Sequence, residues 1–212
     1  ELAIVEYFGK PRAGNSVLQP GLHFKLPWPI EKVYRHPAKE LQSFNIGYKL
    51  NDVANANRVL LWTASHYDEE TNFLVASKEQ SASEDDQTVP VNLLTAAVPI
   101  QYIVKDFESW TYKHSEPAKL LESISNREVV RYLVSVDIID IMSTGRLEAA
   151  EKLKSRIQAQ VDNLGLGVEV LFVGLQDIHP PIGDKTAPVA GSFEEVIGAQ
   201  QEMRANILKA QG

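Results

Sequence analysis

Apolar positions recur along this chain at two periods, and the change from one to the other divides it. From residue 1 to about 88 the apolar runs are short and bounded by polar and turn residues, which predicts strands, one of them alternating at period two with a single apolar face. They comprise Leu2 to Phe8, the set Leu22, Phe24 and Leu26 against His23 and Lys25, and Leu41 to Tyr48. A further pair, Val59 to Thr63 and Phe73 to Ala76, flanks an acidic turn and predicts a hairpin. Gly9-Lys10-Pro11-Arg12 predicts a turn, and Pro20-Gly21 a type II turn in which glycine supplies the positive φ. Asn51 to Asn57 reads as loop, and Ser77 to Thr88, rich in Ser, Glu, Asp and Gln, as a seam. Leu94, Ala96, Val98, Ile100, Tyr102 and Val104 then predict one long half-buried strand.

Beyond that strand the period lengthens. Ser115-Glu116-Pro117 predicts a helix start, with Leu120, Leu121, Ile124, Arg127, Val130, Arg131 and Val134 on one stripe. Asp137 to Met142 predicts a short second helix. A third places Leu147, Ala150, Leu153, Ile157, Val161 and Leu164 on one face and ends at Gly165 and Gly167. From Val168 to Ile178, Val168, Val170, Phe172 and Gly174 alternate with Glu169, Leu171, Val173 and Leu175, which predicts a strand buried on both sides. Pro180-Pro181 lacks two N–H donors and forces an exit from the sheet. A last helix restarts either at Pro188 behind Thr186 or at Ser192, whose spacing to Glu195 fits a capping box. In it Phe193, Val196, Gln200, Met203, Ile207 and Ala210 fall at alternating steps of three and four. Two readings fit that spacing: a coiled-coil seam, or an amphipathic helix packed on its own domain. The predicted fold class is therefore α+β: a β-rich part over 1–88, an α+β part over 89–183, and an exit helix from 184 to 212.

Composition narrows the function classes. With 212 residues, 44% of them apolar, the chain can build a core of one large or two small domains. It has no cysteine, which removes disulfides, thiol chemistry and cysteine metal sites. The most apolar run, Val89 to Val104, is broken by Pro90, Asn92, Pro99 and Gln101, so no segment is expected to span a bilayer and any anchor is expected outside these residues. Because the chain starts at Glu1 and stops within a heptad pattern, a fragment of a longer protein is expected. A net charge of -7 argues against nucleic acid as partner. Between Glu1 and Leu41 six Lys or Arg face four Glu, whereas between His66 and Pro90 seven acids face only Lys78. That asymmetry suits a basic end near anionic headgroups, and equally suits solvated loops of mixed charge.

The five histidines show no metal-ligand spacing, and no phosphate-binding glycine loop or G-x-S-x-G elbow occurs. No catalytic residue, metal or other cofactor is expected. Leu26-Pro27-Trp28-Pro29-Ile30 cannot form a regular ladder and predicts a stiff loop carrying an indole. Trp28 could plug the end of a small barrel or sandwich, or form an apolar tip at a membrane interface.

Several ordered segments carry a resemblance. They are Leu18-Gln-Pro-Gly-Leu-His-Phe-Lys-Leu-Pro-Trp-Pro-Ile-Glu-Lys-Val33, Val89-Pro-Val with Val98-Pro-Ile-Gln-Tyr-Ile-Val-Lys-Asp106, Arg127 with Arg131, Thr144-Gly-Arg146, Gly165-Leu-Gly167, and Leu175-Gln-Asp-Ile-His-Pro-Pro181 with Phe193-Glu-Glu-Val-Ile-Gly-Ala-Gln-Gln201. Together they resemble the stomatin, prohibitin, flotillin and HflK/HflC family, the SPFH or band 7 proteins, with the strand, Pro-Pro and helix segment most similar to the HflK branch. Val59 to Ala76 and Ser77 to Thr88 are longer than the usual pattern. The resemblance implies a two-part SPFH domain, a membrane anchor before Glu1, and a coiled coil that starts at 184–212 and continues. It implies a non-catalytic scaffold that packs side by side into rings or cages, as a homo-oligomer or with a related SPFH protein. Membrane lipid and an FtsH-like membrane protease are the partners it implies. It also moves Leu26, Pro27, Trp28, Pro29 and Ile30 toward membrane contact. A serine hydrolase and a simple lipid-binding module are the alternative functions.

Overall fold

The computed structural model describes residues 2–12, 16–36, 40–49, 69–76, 91–142, 145–181 and 189–211. In chain order the elements are β1 (Leu2–Tyr7), β2 (Lys10–Pro11), β3 (Val17–Leu18), β4 (Glu31–His36), β5 (Gln42–Ile46), β6 (Tyr48–Lys49), β7 (Glu69–Glu70), β8 (Asn72–Ala76) and β9 (Val91–Val104). They continue as α1 (Phe107–Tyr112), α2 (Pro117–Leu133), α3 (Ile138–Met142), α4 (Arg146–Leu164), β10 (Val168–Val173), β11 (Gln176–His179) and α5 (Val189–Gln211). The fold is mixed α+β, as the two periods predict, and its sheets are antiparallel. The chain divides into two compact units. One contains Glu1–Ile46, Pro99–Val129 and Glu148–Gly174, and the other Gly47–Val98, Val130–Leu147 and Leu175–Gly212.

In the first unit β1 is the centre of a small sheet, paired antiparallel with β2, β3 and β4. Ile4 and Val5 are completely buried in it. The second half of β9 pairs with β10, and Tyr102 sits at its centre, its ring 6.0 Å from Trp110 and 5.9 Å from Phe44. Its hydroxyl donates to Gln42 Oε1 at 2.8 Å, which satisfies the one polar atom that this burial would otherwise strand. Helix α1 falls outside the predicted elements: six residues are too few for an apolar stripe to emerge. Its start is nonetheless well specified, because Asp106 accepts from the amides of Glu108 and Ser109, both at 3.1 Å, and from Ser109 Oγ at 2.6 Å.

That cap has a pH signature. The Ser109 hydroxyl, with the two amides, holds the Asp106 carboxyl below its ordinary value of 3.8. A carboxyl depressed by folding contributes its stability above the unfolded value and loses it as pH falls toward the folded one. Asp106→Ala is expected to cost about 1 kcal/mol at neutral pH. Thermal unfolding measured along a pH series should show the gap to wild type narrowing below the ordinary carboxyl value of 3.8.

Helices α2 and α4 depart from their predicted stripes. The buried row of α2 is Leu121, Ile124, Ser125, Glu128, Val129, Tyr132 and Leu133, while Arg127, Val130, Arg131 and Val134 are exposed. The apolar count alone favoured the other side, but Glu128 turns inward to meet Arg156 of α4, with Arg156 Nε and one terminal nitrogen each 3.0 Å from Glu128 Oε2. On α4 the buried row is Ala149, Leu153, Ile157 and Val161, each four residues from the next. Leu147, predicted on that face, is 76% exposed, and Leu164 is exposed as well. The end of α4 agrees with its two glycines: Leu166 N donates to Val161 O at 3.1 Å and Gly165 N to Asp162 O at 3.0 Å, with Gly165 at φ +62. At Gly167, φ +74, a Cβ would overlap the Asp106 carbonyl, so only glycine lets the backbone pass so close.

The strand predicted from Val168 to Ile178 is interrupted. A bulge between Val170 and Phe172 shifts the register, leaving Leu171 and Phe172 exposed and Val173 buried, so β10 is not covered on both sides. In the second unit, β11 and β8 both pair antiparallel with the first half of β9. Leu94 to Val98 is continuously buried there, which is why period two holds only over Ile100, Tyr102 and Val104. Phe73, Val75, Ile138, Ile141 and Ile178 are buried in this unit. β8 agrees with the predicted run Phe73 to Ala76; its predicted partner Val59 to Thr63, the loop 51–57 and the seam 77–88 lie outside the described residues. β11 ends at His179, immediately before Pro180-Pro181, and α5 runs from Val189, which puts Ser192 inside the helix rather than at its cap; Thr186 and Pro188 lie outside the described residues. His179 is buried, and its Nδ1 donates to the Pro180 carbonyl at 2.8 Å.

Candidate functional site

The extended segment from Leu22 to Leu26 pairs with no strand among the described residues, against the prediction of a strand with one apolar face. Pro20, Pro27 and Pro29 remove donors on both sides of it, so a ladder has little to build on. The alternation is real, but the apolar set points to solvent: Leu22 and Phe24 are each 89% exposed. Next comes the loop that carries Trp28, which is 77% exposed and covers no core. The plug is thus excluded by position.

This loop is held firmly despite its exposure. Ile30 N donates to Pro27 O at 3.0 Å, closing the Pro27–Ile30 turn. Leu26 N donates to Glu31 Oε2 at 2.6 Å, and Glu31 is itself buried at the start of β4, with Arg12 3.7 Å away. Phe8 N donates to Ile30 O at 2.9 Å, bringing the turn after β1 alongside. That turn exposes Tyr7 and Phe8, whose rings meet edge to face at 4.9 Å. Apolar side chains on a braced turn stay in water at a steady cost, because the loop cannot fold them back into the core. Leu26 and Trp28 are exposed as a membrane tip requires, Ile30 is half-buried, and Pro27 and Pro29 are exposed and stiffen the turn. Phe8, Leu22 and Phe24 were missed by sequence reasoning. Their signal was an apolar alternation inside a stretch bounded by prolines, where no sheet could cover it.

The predicted seam lies on α5, whose backbone includes Phe193, Val196, Gln200, Met203, Ile207 and Ala210. Met203, Ile207 and Ala210 are exposed, as is Leu208, so this stretch has no cover among the described residues of its own unit. Ala199, Met203, Ile207 and Ala210 share one side of the helix. Among the described residues no group of three or more His, Asp or Glu side chains could hold a metal ion, and no helix is long and apolar enough to cross a membrane.

The whole chain, residues 1–212, matches the SPFH domain / Band 7 family. Among curated proteins it is similar to Protein HflK of Borreliella burgdorferi, 27% identical over 202 residues, covering 95% of this chain and 56% of that protein. Protein HflK of Treponema pallidum is 26% identical over 202 residues, covering 94% and 54%. Protein HflK of Haemophilus influenzae is 25% identical over 130 residues, covering 57% and 28%. The chain therefore spans about half the length of the first two relatives. With the family matched from end to end over an α+β fold, this chain belongs to the SPFH domain / Band 7 family.

Proposed function

We propose that this chain is the membrane-facing SPFH part of a non-catalytic scaffold that assembles side by side and modulates a membrane protease. The observation that carries the reading is the braced, exposed apolar loop: Leu22, Phe24, Leu26 and Trp28 have no cover within the described residues of their own unit. A bilayer interface offers the fitting environment, since an indole keeps its ring in the apolar boundary and its N–H near headgroups. Residues 1–88 would form the membrane-side subdomain, 89–183 the second, and 184–212 the start of a coiled coil through Phe193, Val196, Gln200, Met203, Ile207 and Ala210. The exposed side of α5 supports that last part, because an apolar helix face left in water is stabilised by a partner helix. Similarity to HflK supports an FtsH-like protease and a related SPFH protein as partners, with an anchor outside these residues holding the assembly at the membrane. Weak single-copy contacts would add through avidity once many copies share one surface.

The experiment has two arms. In flotation with phosphatidylcholine vesicles, the wild-type chain is expected to rise with the lipid and Trp28→Ala to partition at least fivefold less. A fivefold change is about 1 kcal/mol, the burial of about 40 Å² of the indole at about 25 cal/mol per Å². Equal flotation of the two would remove the loop from the membrane. In the second arm, the longer protein extracted in mild detergent is imaged; a monodisperse monomer would overturn the scaffold.

A further inference from the structure

In the first unit, β1, β4 and the segment from Leu18 to Lys25 line an open hollow of about 630 Å³. Val5 and Val33, opposite each other across the β1–β4 ladder, give it an apolar floor. Its walls carry His23, Lys25 and Arg35, and no acidic side chain among the described residues lines it. In a chain with a net charge of -7, a hollow of this composition is a local reversal of sign.

The alternation of the extended segment assigns its two edges to different surroundings. Gly21, His23 and Lys25 line the cavity, whereas Leu22 and Phe24, between them, do not and stand 89% exposed. His23 Nε2 donates to the Gln19 carbonyl at 2.7 Å, and Lys25 Nζ donates to the Leu26 carbonyl at 3.3 Å. Both side chains are therefore steadied by their own segment, and the ammonium keeps further hydrogens for an acceptor. Arg35, in register with Ala3, brings a fork of N–H groups suited to a phosphate.

We propose that this cavity takes the phosphate of an anionic phospholipid headgroup. Lys25 and Arg35 supply the charge and His23 a further polar contact, while Leu22 and Phe24 enter the acyl boundary beside it. The proposal rests on the membrane-facing reading of the loop and adds the lipid class it selects. A soluble phosphate would use the cations but leave Leu22 and Phe24 in water; a lipid uses both rows of the same segment.

The test is flotation of the chain at physiological ionic strength on vesicles of phosphatidylcholine with and without phosphatidylglycerol. Wild type should gain partition on the anionic vesicles. The K25Q/R35Q variant should lose that gain, about fivefold per cation. K119Q/R146Q, with the same charge removed from helices α2 and α4, should keep it. Equal losses in the two variants would mean diffuse charge attraction and overturn the site. Flotation of wild type on neutral vesicles with no anionic gain would overturn this proposal alone, and flotation on neither would overturn the membrane-facing loop with it. Glycerol phosphate is the soluble probe: submillimolar binding by calorimetry, unchanged in L22S/F24S, would make the cavity a soluble-phosphate site and overturn the lipid.

Discussion

Replacing Ile157 by alanine is expected to cost about 3 kcal/mol. Ile157 is completely buried in the middle of the row Ala149, Leu153, Ile157 and Val161, so truncation removes packed methyl groups where neighbours on both sides are fixed. The helix cannot slide to fill the gap. Gln158 anchors it to β10, its Nε2 donating to Val168 O at 3.1 Å while its Oε1 accepts from Val170 N at 2.7 Å. Thermal unfolding should fall by roughly 6–12 °C, the scale for a chain of this size. Leu147→Ala is the internal comparison. Periodicity places Leu147 on the same face, yet at 76% exposure it should change stability by no more than about 0.5 kcal/mol. Similar losses at both positions would show that the observed rotation of α4 is wrong.

Arg156→Met is expected to cost about 2–3 kcal/mol, more than Glu128→Gln at about 1 kcal/mol, although the two residues form one ion pair. The asymmetry comes from burial. The Glu128 side chain is 3% exposed and that of Arg156 40%. Losing the carboxylate frees a guanidinium that water already reaches. Losing the guanidinium leaves a charge in the interior, with Arg127 Nε at 3.7 Å as a weaker partner. The penalty is set toward the lower end for a broken buried pair because the arginine side is solvated. In a double-mutant cycle, E128M/R156M should recover at least half of the loss of R156M, since two apolar side chains leave no charge to strand. An R156M variant as stable as wild type would mean that water reaches the Glu128 carboxylate.

Element type and order were legible because backbone patterning is local: a short apolar run at β1, period two over the end of β9, steps of three and four over α2 and α4, glycines at the end of α4, and Pro180-Pro181 closing β11. The family was legible for a related reason, since its ordered motifs are spread over the whole chain. At the candidate site, the loop Leu26 to Ile30 and the helical register of Met203, Ile207 and Ala210 were also readable as positions.

Tertiary structure alone decided which side of each pattern is covered. Periodicity arranges side chains around an axis but does not say what lies opposite. On α2 the covered side holds Leu121, Ile124, Val129 and Leu133 together with Glu128, whose partner Arg156 is 28 residues away, while Val130 and Val134 face out. On β10 a bulge reversed the faces halfway along. At the loop, Leu22 and Phe24 alternate just as a core strand would, yet no strand among the described residues pairs with the segment and both face outward. Burial is a property of pairs distant in sequence, and those pairs form only in the folded chain.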